Sequence, residues 1–130
     1  MKCLLMAAIP LALNLTPAKA DPLNDIEKSF LASVAATLSA ATLCKGVDVK
    51  PQAFVLLGDR VGVDGQKMGD ATAAAFQAAN NLPYDRAALI PEVTQFFNPM
   101  LSKIFKEIEA KPAELCPRWI KALRSVGTIE

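Results

Sequence analysis

The chain predicts an all-α protein, a small bundle of four to six short helices with one disulfide joining the first and last. Three observations carry this expectation. Apolar residues recur every three or four positions from Ile26 to Leu123. Prolines and glycines stand where such stretches change register. Beyond the first twenty residues there are two cysteines, Cys44 and Cys116, one near each end of the helical pattern.

Residues 1–20 have the three-part pattern of a cleavable signal peptide. Met1-Lys2 is a short positive start, Cys3 to Leu15 is almost wholly apolar, and Thr16-Pro-Ala-Lys-Ala20 is a polar stretch with small side chains at Ala18 and Ala20. Cleavage is expected between Ala20 and Asp21. The apolar stretch, interrupted by Pro10 and Asn14, falls short of the roughly 20 residues needed to span a membrane, so no membrane span is expected after signal removal. Residues 21–130 then form one helical domain, periplasmic or secreted.

Losing Lys2 and Lys19 lowers Lys plus Arg from 14 to 12 against 13 acidic residues. Near-neutrality without a basic run argues against nucleic acid as a partner. Cys3 leaves with the signal, and Cys44 and Cys116 have one possible pairing in an oxidising compartment. They stand too far apart for Cys-x-x-Cys redox chemistry. The chain has no histidine, which excludes a Ser-His-Asp triad, a Cys-His pair and histidine ligation of a metal or haem. No cofactor, metal ligand or catalytic residue is assigned.

The first helix lies within Asp21 to Gly46. Asn24 and Glu27 have capping-box spacing, Ile26, Phe30, Val34, Leu38 and Ala41 form a stripe, and Gly46 suits the end. Pro51 is placed in the first turn of a second helix carrying Phe54, Leu57 and Val61. Strands would also suit residues 47–63, but a lone hairpin would have nothing to pair with. Asp64 to Asp70 reads as a polar connection, and Ala71 to Asn81 as an alanine-rich third helix bearing Phe76, with Met68 near its start. Pro83 forces a turn. Tyr84 to Leu89 contains a short helical piece capped by Asp85. Pro91 to Lys111 is helical but interrupted at Asn98-Pro99, where Asn98 caps a restart. Pro117 opens a final helix through Val126 with Trp119, Ile120 and Leu123 inward, and Gly127 stops it.

Gly58, Gly62, Gly65 and Gly69 around Lys67 resemble a phosphate loop only in composition, because the Gly-Lys-Ser/Thr sequence is missing. Asp59, Asp64 and Asp70 lack the spacing of a calcium loop. Adjacent Phe96 and Phe97 point about 100 degrees apart on a helix. A wide buried face accounts for both; alternatively, with Met100, they form a partner surface.

These bounds point to a small exported non-enzymatic protein that binds another protein or an apolar ligand in the cell envelope, as chaperones, inhibitors, immunity proteins and adaptors do. The alternative is a histidine-independent hydrolase using Asp59, Asp64, Asp70 and Lys67, which requires acidic groups to converge in one cleft.

Overall fold

The computed structural model describes residues 22–130. The expected signal peptide and the cleavage expected between Ala20 and Asp21 lie outside the described residues. Among the described residues five α-helices follow in order: α1 Asp25–Leu43, α2 Ala53–Val61, α3 Gly65–Ala79, α4 Pro91–Ala110 and α5 Pro112–Val126. A single 3₁₀ turn, Arg86–Ala88, stands between α3 and α4. The expected all-α bundle is the observed class.

The start of α1 is set locally. The Asn24 side chain accepts from the Glu27 N–H at 2.7 Å, and Glu27 accepts from the Asn24 N–H at 2.9 Å, so two otherwise unpaired donors are satisfied reciprocally. The helix is central, lying along α4 and touching α5 and α2. Its core residues therefore extend beyond a narrow stripe to Phe30, Leu31, Val34, Ala35, Ala36, Thr37, Ser39 and Ala40. Ile26 (53% exposed) and Leu38 (37% exposed), expected on the inward stripe, lie outside the core because the neighbours of α1 cover the other flank.

The segment 47–63 is helical at α2, as expected, but Pro51 precedes the helix and Gln52 is its cap. Val49 makes an isolated antiparallel bridge to Ile129. Lys50 N–H donates to the Thr128 carbonyl at 3.0 Å and Glu130 N–H to that of Asp48 at 2.9 Å. The tail after α5 is thus an ordered strap, with Ile129 and Thr128 buried. Thr37 Oγ1 donates to the Ser33 carbonyl at 2.7 Å. Having spent its one proton there, Thr37 accepts from Thr128 Oγ1 at 2.9 Å.

Three further boundaries differ from expectation. The connection from Asp64 to Asp70 is helical: Asp64 accepts from the Lys67 N–H at 3.0 Å and starts α3 at Gly65. Gly65 belongs to helix packing, since a Cβ there would run into the Phe54 carbonyl oxygen and lie 2.8 Å from Val55 Cα. A Cβ on Gly58 would lie 2.6 Å from the Val63 carbonyl oxygen and 2.7 Å from the Gly65 nitrogen, so α2 and α3 meet backbone to backbone.

Helix α4 runs unbroken through Pro99. The carbonyl deprived of a partner belongs to Gln95, an exposed position where water can replace the lost N–H. Asn98 caps nothing; its Nδ2 donates to the Ala75 carbonyl of α3 at 3.2 Å. Likewise Pro117 lies inside α5, which starts at Pro112, and the carbonyl it leaves unpaired belongs to exposed Ala113.

Cys44 caps α1 and Cys116 lies in α5; their disulfide spans a Cα–Cα distance of 5.7 Å. It joins the first and last helices, and it is consistent with an oxidising, non-cytoplasmic compartment. All five helices contribute to one continuous apolar core. Among the described residues no helix is long and apolar enough to cross a membrane.

Candidate functional site

Of the two readings of Phe96, Phe97 and Met100, the buried face is the one observed, and they do not form an exposed patch. Phe97 is 0% exposed, and Phe96 and Met100 are half-buried against the core. The reason is the width of the α4 interface: α1 and α3 both pack on α4, so neighbouring ring directions both find cover.

Nor do the candidate hydrolase residues converge. Asp59, Asp64, Lys67 and Asp70 are all exposed. Asp64 caps α3, and Asp70 accepts from Gln66 Nε2 at 3.0 Å. Among the described residues no three His, Cys, Asp or Glu side chains are grouped to hold a metal ion. Asp85 accepts from the Ala87 N–H at 2.9 Å as a cap, while Arg86 sits 5.9 Å from the Tyr84 ring centre, so this cluster anchors its loop.

An apolar pocket of about 650 Å³ lies among α1, α2, α3 and α4. Helix periodicity assembles its walls. Leu38 and Thr42 are one turn apart on α1, and Leu101 and Phe105 one turn apart on α4. On α3 a single face presents Gly69, Thr72, Ala73, Phe76 and Gln77, while Phe54 reaches in from the first turn of α2. Three phenylalanines and two leucines thus make up half of the ten lining residues.

Leu38 and Phe76 (45% exposed) leave apolar area open to solvent at this pocket. Phe54 and Leu101 also rest on the hydrophobic core beneath, so the far wall is supported. Gly69 keeps the α3 wall low: a Cβ there would meet nothing within 4 Å. None of the lining side chains is ionisable.

The lining hydroxyls are turned to their own helices. Thr42 Oγ1 donates to the Leu38 carbonyl at 2.8 Å, and Thr72 Oγ1 to the Gly69 carbonyl at 2.8 Å. Such i−3 and i−4 bonds consume the only hydroxyl protons in the lining. The arrangement has no nucleophile, acid or base to offer a substrate; what it offers is a concave surface from which water is released when something apolar enters.

Two other clefts differ in character. One at the corner of α4 and α5, about 600 Å³, is bordered by Glu107, Lys111, Glu114 and Arg118 beside Trp119. Its Arg118–Glu114 pair at 3.7 Å is solvent-exposed and contributes little. The other, about 410 Å³, lies under Ile26 and Val61 beside Asp25. The pocket among α1–α4 is the larger and lacks ionisable lining.

Periodicity alone did not identify this site, because its walls come from four helices. The signal lay in apolar residues that the core does not absorb, Leu38 and Phe76 above all. No protein-family model, curated protein or solved structure matches the chain.

Proposed function

We propose that this is an exported, non-enzymatic binding protein whose site is the pocket among α1, α2, α3 and α4, and that its ligand is a small apolar molecule. The observation that carries this reading is a preformed concavity of about 650 Å³, lined by Leu38, Phe54, Phe76, Leu101 and Phe105 without an ionisable side chain. Small-molecule sites typically occupy about 300–1,000 Å³ and are lined by apolar and aromatic groups with few polar ones. A protein partner calls for a broader contact, of order 1,000 Å² or more. Export is supported by the character of residues 1–20 and by the disulfide's preference for oxidising surroundings.

The test uses the purified, oxidised protein and the uncharged fluorophore N-phenyl-1-naphthylamine, which brightens in apolar surroundings. Saturable brightening is expected with the wild type and with Gly69→Ala, and its loss with Gly69→Leu, whose side chain would enter the pocket from a position that has room for it. Circular dichroism and melting establish that both variants fold. Absent brightening in the wild type, or undiminished brightening in Gly69→Leu, would overturn the proposal.

A further inference from the structure

We infer that the ligand of this pocket is an uncharged amphiphile with an apolar body and one neutral hydrogen-bonding head, such as an alcohol, ester or amide, and that Gln77 receives the head. The inference rests on the reading of the pocket as a small-molecule site and specifies its chemistry.

The polar lining consists of Thr42, Thr72 and Gln77. Both threonine protons are committed to helix carbonyls at 2.8 Å. The half-buried Gln77 side chain makes no hydrogen bond among the described residues. Its amide carries donors and an acceptor together. A hydroxyl, which also donates and accepts, or an amide complements it; an ester carbonyl uses the donor half.

Charge selects in the same direction. A carboxylate or ammonium drawn into this lining would lose water and find no counter-ion, the costly way to bury an ion. Gln77 also lies in the last turn of α3, which ends at Ala79. The C-terminal end of a helix carries partial negative charge, so an anionic head is disfavoured further. The preferred order is therefore neutral head, then cationic, then anionic.

The experiment is displacement of N-phenyl-1-naphthylamine at pH 7 by 1-decanol, decanamide, decylamine and decanoate, all of equal chain length. Decanol and decanamide are expected to displace the probe at concentrations lower by about tenfold or more than decanoate. Because decanol also partitions more readily from water, two variants isolate the head contact. Gln77→Leu is expected to weaken decanol about fivefold relative to the probe, with both affinities measured on the variant itself. Gln77→Lys is expected to narrow or reverse the gap between decanol and decanoate.

Decanoate competing as well as decanol in the wild type would overturn this inference while leaving the binding function intact. So would an unaltered ratio of decanol to probe affinity in Gln77→Leu. Failure of the probe itself to bind would overturn the binding function and this inference with it.

Discussion

Alanine placed at two glycines only eleven positions apart, Gly58 and Gly69, is expected to change stability in opposite directions. Both residues lie within helices, where Ala is favoured over Gly by about 0.5–1 kcal/mol because the unfolded glycine has more freedom to lose. At Gly69 a new Cβ meets nothing within 4 Å, so the whole helix-forming gain should be realised. That corresponds to a rise in Tm of about 3–6 °C for a domain of this size. At Gly58 the Cβ would stand 2.6 Å from Val63 O, 2.7 Å from Gly65 N and 2.8 Å from Gly65 Cα. These are backbone atoms and cannot swing aside, so α2 and α3 must separate. Overpacking of this kind costs about 1–3 kcal/mol; set against the propensity gain it leaves a net loss of up to about 2.5 kcal/mol, centred on about 1 kcal/mol. Urea unfolding of the oxidised protein, with equal slopes for all three proteins, measures both changes directly. If Gly58→Ala proves as stable as the wild type, the two helices do not cross backbone to backbone. If Gly69→Ala is destabilised, the open wall of the pocket is misplaced.

Replacing both Cys44 and Cys116 by Ala opens a covalent loop with a sequence separation of 72. The denatured chain then regains entropy worth about 4 kcal/mol, and the midpoint of guanidinium unfolding should fall accordingly. Reductant should lower the wild-type midpoint toward the variant's and leave the variant unmoved; an unchanged wild type would remove the bridge from the stability account. Phe97→Ala empties a fully buried site in α4 and should lose about 3–5 kcal/mol, read by the same unfolding curve. Phe76→Ala, at a solvent-open position, should stay within about 0.5 kcal/mol while weakening the fluorophore.

Features encoded within a few residues were legible in the sequence. Asn24 and Glu27 announced the start of α1, Asp85 the cap of the 3₁₀ turn, and Gly127 the left-handed end of α5. The cysteine pairing followed from there being one combination. What failed depended on surroundings. Pro99 and Pro117 look like helix starts, yet the carbonyls they leave unpaired belong to exposed Gln95 and Ala113, and the helices continue past them. Gly65 looks like a loop residue until α2 is seen against α3. For Phe96 and Phe97 the sequence leaves a buried face and a partner surface both open; Phe97 is wholly buried, and which of two adjacent rings is covered depends on helices distant in sequence. The candidate pocket required Leu38, Phe54, Phe76 and Phe105 to meet from four helices, and no spacing along the chain records that meeting.

The Cys44–Cys116 bridge also fixes what a single backbone cut can do. Phe54, Phe76, Gln77, Leu101 and Phe105 all lie between the bridged residues, and Leu38 and Thr42 stand just before the first of them. A protease cutting the exposed run from Asn80 to Pro83 would therefore divide the chain into two pieces that remain one molecule, with pocket walls on both sides of the nick still covalently joined. Intact and nicked molecules would run alike without reductant and separate only with it. The pocket need not be lost at the first cleavage.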